Sequence, residues 1–276
     1  MEQIVVSGAP ISSQSGGSGP ASFFSLDDLE NKPAVNRDLK DIIRSDPRIY
    51  IDESSANAIV CAGGNPRFNS LTVDGTRMND NFGLNSNGYP TERMPFSFDS
   101  IAQVAVELAP FDVQYGNFTS CNINAVTKSG TNELSGGLFY DYTSDSLSGD
   151  KIKDDKTDIG NYSEKRYGFN VGLPLIEDTL FLFTSYEKLE GAQVLDYSPL
   201  ANGVINQATL DRIKSIAQTN YNYDVGSLVP SLPVEDEKIL IKLDWNINED
   251  HRATFLYNYN DGFSIGQSDT GSSRIS

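Results

Sequence analysis

The sequence predicts a mixed α+β domain that gives way, near residue 130, to antiparallel strands of the outer-membrane β-barrel kind. Three observations carry that expectation. Up to residue 130, short helical and strand-like stretches alternate with Gly, Asn and Pro turns. From Leu134 onward, apolar and polar residues alternate with period two, and tyrosines fall on the apolar side. The connections between these later strands alternate between short turns and long loops, which is how outer-membrane barrels are wired. A soluble β-sandwich shares the alternation but has no reason for that asymmetry of lengths.

Composition narrows the function. The chain has 276 residues and a formal net charge of −17. So acidic a chain opposes nucleic-acid binding, because a phosphate partner requires a basic face. No run of about 18 apolar residues is present, so no transmembrane helix is expected. Membrane strands remain open, since each needs only about ten residues of alternating polarity. Met1-Glu2-Gln3 runs directly into Ile4-Val5-Val6, without a basic and apolar leader.

Taken in order, residues 1–8 form a short apolar extended segment, and residues 9–22 read as a flexible Ser/Gly linker. A strand-like tag on a tether suits pairing with the edge of a partner's sheet. Ser25 is placed to cap a helix running to Glu30. A second helix starts at Asn36, presents Val35, Leu39, Ile42 and Ile43 on one face, and ends at Asp46-Pro47. Strands are expected over residues 49–51 and 70–73, with Asp74-Gly75 as a hairpin turn. Residues 79–89 read as an exposed loop of Asn and Gly carrying Phe82, Leu84 and Tyr89. Further strands are expected at 103–107 and 122–128, flanking the Ala109-Pro110 turn and a Tyr115-Gly116 corner.

Beyond residue 130 the alternation becomes strict. Leu134, Leu138, Tyr140 and Tyr142 share one face. Tyr167, Phe169, Val171 and Leu173 do so in the next strand, Ile239, Ile241, Leu243 and Trp245 in a later one, and Ala253, Phe255, Tyr257 and Tyr259 in the last. The strand at 179–190 contains Leu180, Phe181, Leu182 and Phe183 in succession, so periodicity does not assign its faces. Residues 174–178 and 246–250 are short turns. Residues 145–165 and 191–237 are long connections, the latter with a helix around 210–219. On the polar face, Arg166, Lys238, Lys242 and Asp244 are expected to meet one another, the first domain or water.

Several stretches resemble the TonB-dependent outer-membrane receptors, in their Oar-like (OmpA-related) branch. Glu2, Gln3, Ile4, Val5, Val6, Ser7 and Gly8 look like the TonB box. Residues 39–47 are similar to the family's plug helix, and residues 65–75 resemble its "RG…DG" stretch. Residues 101–116 look like "IERIEVLRGP…YG", and residues 122–131 like the "GGVINIVTKSGTN" exit into the barrel. Ala109 stands where a glycine is usual, and Cys121 interrupts the usual glycine pair; both departures suit the Oar-like branch better than the siderophore receptors.

The resemblance implies an α+β plug domain at 23–131 followed, at 132–276, by antiparallel transmembrane β-barrel strands, an incomplete barrel. It also implies that the chain starts near a mature N-terminus and is the N-terminal part of a receptor of about 22 strands. The implied location is the bacterial outer membrane, with the N-terminal segment in the periplasm. The implied partners are TonB, energised by ExbB and ExbD, outer-membrane lipid, and an external ligand such as a peptide or carbohydrate. Ligand contact falls to Asn79, Asn81, Phe82, Asn85, Asn87 and Tyr89. The alternative within the same family is secretion, adhesion or surface assembly in place of uptake.

Cys61 and Cys121 are the only cysteines and His251 the only histidine. A disulfide is favoured over a zinc site for want of ligands, with two free buried thiols as the alternative. Asp150, Asp154, Asp155 and Asp158 lack the glycine and terminal glutamate of a calcium loop, and lysines interleave them, so a solvated loop is expected. No catalytic constellation and no cofactor are expected. His251 has no positioned nucleophile, adjacent Asp27 and Asp28 project apart, and Gly16-Gly17-Ser18-Gly19 lacks the lysine of a phosphate loop.

Overall fold

The structure, a computed structural model, describes residues 20–32, 34, 36–52, 57–82, 85, 87–91, 93–108, 116–149, 151–152, 155–156, 162–194, 205–226 and 231–265. The TonB-box-like segment 2–8, linker residues 9–19, Val35, Leu84, Ala109-Pro110, Tyr115 and the acidic residues Asp150, Asp154 and Asp158 lie outside them. The described residues form two units. One holds those up to Phe139 with Tyr167–Lys188 and Asp236–Gly262, and the other those of Tyr140–Arg166, Leu189–Glu235 and from Phe263 on.

The first part of the chain opens with β1 (Ala21–Phe24) and α1 (Leu26–Asn31). Ser25 caps α1 in a reciprocal capping box with Asp28. The linker therefore ends before residue 21, not at 22. Phe24 is drawn into the core, and the Ser22 hydroxyl donates to Asp46 at 2.5 Å and accepts from Arg48 at 2.6 Å. Helix α2 (Leu39–Ile43) starts later than its apolar pattern suggested. Asp38 is its N-cap, accepting from the Lys40 amide at 2.9 Å, while the Asn36 amide is taken by Asp41. The hairpin β2 (Ile49–Asp52) and β3 (Ala58–Cys61) follows. β3 went unread because Ala58, Ile59 and Cys61 are all buried and leave no alternation to detect.

Next come β4 (Ser70–Val73), β5 (Thr76–Arg77), β6 (Ile101–Leu108) and β7 (Cys121–Thr127). They join β1 in a mixed sheet ordered β1-β6-β7-β4-β5, in which β4 and β7 run parallel and the other pairs antiparallel. At the β4–β5 hairpin, Asp74 and Gly75 have φ of 47° and 80°. Those values suit a type I′ turn, which requires positive φ at both central positions. Leu39, Ile42 and Ile43 of α2 pack with Val104, Val106 and Ile123 in one core, together with Tyr89, Met94 and Phe96.

After β7 the chain forms β8 (Ser135–Ser144), a small hairpin of β9 (Lys151–Ile152) and β10 (Asp155–Lys156), then β11 (Ser163–Ile176) and β12 (Leu180–Val194). Helix α3 (Gln207–Tyr221), β13 (Ser231–Asn246) and β14 (Arg252–Ser264) complete it. The long strands form an antiparallel meander ordered β14-β13-β12-β11-β8. They run further into the long connections than their alternation alone suggested, leaving 145–162 and 195–230 between them. Among the described residues, no helix is long and apolar enough to cross a membrane.

The faces of this sheet are inverted relative to a soluble protein. In β13, Lys242 is 1% exposed and Asp244 2%, whereas Trp245 is 48% exposed. In β12 the ambiguity resolves: Phe181, Phe183, Ser185, Glu187 and Leu189 are buried, while Leu180, Leu182 and Tyr186 face the other way. Charged inside and apolar or aromatic outside is the pattern of a barrel wall in lipid.

Candidate functional site at the plug and wall

The hairpin turn that the sequence sets at Asp74-Gly75 aims a carboxylate at the end of β7. Asp74 accepts from the Thr127 amide at 3.0 Å and from its hydroxyl at 2.5 Å. Lys242, on the buried face of β13, completes the cluster: its Nζ lies 3.5 Å from Asp74 Oδ2, and donates to Thr127 Oγ1 at 3.2 Å and its carbonyl at 3.4 Å. One wall lysine thus holds two strands of the mixed sheet. An ammonium stripped of water is tolerated only where a counter-charge and acceptors replace the solvent, as here.

A second polar cluster lies on β12 and β13. Lys238 Nζ is 2.8 Å from Asp236 and 3.7 Å from Glu187, and Ser97 of the plug donates to Glu187 at 2.9 Å. Asn258 of β14 donates to the Pro95 carbonyl at 3.2 Å. Arg37 pairs with Asp99 and lies 3.6 Å from the Phe139 ring centroid. Between plug and wall, the chain passes so close to its neighbours at Gly130 that a Cβ would stand 2.5 Å from the Leu182 carbonyl oxygen. Of the expected polar-face residues, Lys242 meets partners in the plug, Lys238 meets partners on the wall strands, Asp244 accepts from Thr254 at 2.7 Å, and Arg166 pairs with Glu164 at 3.1 Å.

Cys61 and Cys121 are joined, with Sγ atoms 2.06 Å apart. The bond ties β3 to the first residue of β7. Near β1, the Arg48 guanidinium beside Asp46, helped by the Ser22 hydroxyl, holds that carboxyl well below the usual carboxylate range. Burial pushes the Lys40 ammonium down, an effect opposed by Asp38 at 3.6 Å. Lys40 also sits 5.5 Å from the centroid of the Tyr89 ring.

The expected ligand loop is only partly open. Tyr89 is 3% exposed, which corrects the expectation of an exposed ring; it packs in the plug core against the Lys40 side. Asn79 accepts from the Leu71 amide at 3.0 Å and Arg77 at 2.9 Å, and donates to the Asn69 and Gly88 carbonyls at 2.8 and 3.3 Å. Asn85 donates to the Tyr89 carbonyl at 3.2 Å, and the buried Asn87 donates to Thr91 at 2.9 Å. These amides shape the loop. Asn81 and Phe82, the latter 90% exposed, point their side chains outward. The polar face of β13 pointed to Lys242 as one half of the Lys242–Asp74 pair, but nothing local in the sequence located Asp74 as the other half.

The described residues thus give a plug-like mixed sheet followed by an antiparallel meander whose outward face is apolar. A family model for an outer membrane beta barrel domain matches residues 126–199. The TonB-dependent transporter Oar of Myxococcus xanthus is 26% identical over 204 residues, which is 69% of this chain and 18% of that protein. The "Probable TonB-dependent siderophore receptor PirA" of Acinetobacter baumannii is 29% identical over 195 residues, 63% of this chain and 23% of that protein. In fold, the ferric enterobactin receptor of Pseudomonas aeruginosa superposes with a TM-score of 0.61 at 18% identity, over 92% of this chain and 34% of that one. The chain therefore has TonB-dependent transporters and receptors as homologues and resembles in fold the plug-like sheet and antiparallel wall strands of such receptors, which supports an outer-membrane location. It spans roughly a fifth of the length of these curated relatives.

Proposed function

We propose that this chain supplies the plug and the first wall strands of a TonB-dependent receptor that takes up an external ligand across the outer membrane. The observation that carries the reading is Lys242 of the wall gripping both Asp74 and Thr127 of the plug. Such a contact holds a globular domain inside the lumen, so passage requires work on the plug. No bond in the transported ligand is made or broken in this scheme, and the chain is not an enzyme. The short turns at 177–179 and 247–251 face the periplasm and the long connections face outward.

Residues 2–8 pair by strand addition with TonB, which ExbB and ExbD energise from the inner membrane. On the outer side, Asn81 and Phe82 of the plug contact the ligand, a peptide or carbohydrate, and loop residues Asn79, Asn85, Asn87 and Tyr89 set their positions.

The experiment is deletion of residues 2–8 from the full-length receptor in its native host. Ligand binding at the cell surface should persist while accumulation inside the cell stops. Unchanged accumulation in the deletion strain would remove TonB coupling at this segment from the scheme. Recovery of the full-length protein in a soluble fraction would remove the membrane reading altogether.

A further inference from the structure

We propose that the outer face of the wall, at the long-connection ends of its strands, holds the uncharged saccharide headgroup of a glycolipid in the outer leaflet. This rests on the orientation proposed above. The site is a cleft of about 680 Å³ at the long-connection ends of β8, β11, β12 and β13. Tyr142, Tyr162, Lys165, Glu190, Ser231 and Glu235 are among the residues lining it.

Strand parity decides which side the cleft opens on. Arg166 in β11, Leu189 in β12 and Asp236 in β13 are buried on the inner face. Alternation then turns their neighbours Lys165, Glu190 and Glu235 outward. Ser231 shares the outward parity of Glu235, and in β8 Tyr142 shares that of the exposed Leu138 and Tyr140. These residues therefore belong to the face that, further along the same strands, carries Ile239, Ile241 and Leu243.

The chemistry of the cleft selects its occupant. Tyrosines at a membrane interface offer an apolar ring face together with a hydroxyl, and Tyr162 already uses its hydroxyl with Ser148 at 2.6 Å. Pyranose rings present C–H faces to such rings. The Lys165–Glu190 ion pair and the Ser231 hydroxyl supply donors and acceptors for sugar hydroxyls. Asp145, Glu190 and Glu235 outnumber Lys165 among the charged lining residues, which disfavours a phosphorylated headgroup. A headgroup anchored in the adjoining leaflet is held at high local concentration, so even weak sugar contacts suffice to keep it bound.

The test uses the full-length receptor in phospholipid nanodiscs containing a dihexosyl diacylglycerol or, in parallel, phosphatidylglycerol. Lipid retained on the protein after release from the disc is counted by native mass spectrometry. The dihexosyl lipid should be retained at least about fivefold over phosphatidylglycerol. Ala192→Trp and, independently, Ser231→Trp should abolish that preference by filling the cleft. Equal retention of both lipids, or a preference that survives both substitutions, overturns the proposal. So does full competition by the free disaccharide at concentrations matching the lipid, which would make this a site for soluble sugar. Orientation is read separately, by surface access to an epitope inserted after Asn222 on intact cells. If that epitope is reached only from the periplasm, the orientation fails even where binding in nanodiscs succeeds.

Discussion

Replacing Lys242 by methionine tests the plug-to-wall contact most directly. The substitution keeps an unbranched side chain one atom shorter and removes its charge at a position that is 1% exposed. It leaves Asp74 with both Thr127 hydrogen bonds, at 3.0 and 2.5 Å, and with 14% of its side chain open to solvent. That residual solvation limits the loss to about 2–3 kcal/mol, toward the low end for breaking a buried pair. The reverse change, Asp74→Asn, leaves the buried ammonium with its two Thr127 acceptors but with neither counter-charge nor solvent, so its loss is larger, about 3–5 kcal/mol. The double variant Asp74→Asn with Lys242→Met removes both charges, and its loss falls at least about 1.5 kcal/mol short of the sum. The assay is urea unfolding of the purified full-length receptor in detergent, followed by near-ultraviolet circular dichroism and combined as a double-mutant cycle. Single losses that simply add, within about 0.5 kcal/mol, would show that Lys242 and Asp74 do not stabilise each other and refute the argument.

Three further outcomes follow from the same structure. Cys61 and Cys121 close a loop with a sequence separation of 60, so changing both to serine should destabilise the plug by about 4 kcal/mol on the chain-entropy model; melting with and without a reductant reads this directly, and a reductant-insensitive wild type would contradict it. Asp46 has a folded pKa below its unfolded value, so its contribution to stability is complete above the ordinary carboxylate range and fades as pH falls below about 4. The stability gap between wild type and Asp46→Asn should therefore narrow on acidification, and a gap constant from pH 7 into the acid limb counts against the Arg48 pairing. Asn79→Ala breaks hydrogen bonds to four neighbours and should cost about 2 kcal/mol. Phe82→Ala should cost under about 0.5 kcal/mol yet weaken ligand binding; calorimetry of both variants separates loop shaping from contact, and a Phe82→Ala protein with wild-type affinity argues against the latter.

Local chemistry explains what could be read early. The Ser25 cap, the Asp74-Gly75 turn and the helix within the second long connection each depend on residues a few positions apart. The strands after residue 130 were legible because their two faces meet different surroundings, and period two records that difference directly. β3 and the faces of β12 were not legible for the converse reason. Where both faces of a strand are apolar, alternation carries no information, and only the packed neighbours decide that Phe181 and Phe183 turn inward. Tyr89 misled because a run of Asn and Gly reads as exposed loop, while the carbonyls those amides bind fold the segment back onto the core.

The sequence by itself determined a mixed domain joined at residues 122–131 to a membrane-type sheet, because turn residues, caps and polarity period act over short distances. Tertiary structure alone decided that Asp74 and Lys242, far apart in the chain, share Thr127, and that Asn81 and Phe82 of the Asn-rich loop lie exposed while Asn87 and Tyr89 are buried. Those choices depend on which surfaces exclude water once the strands have packed. A buried ammonium finds its counter-charge across the fold, and no local pattern in the chain encodes that distance.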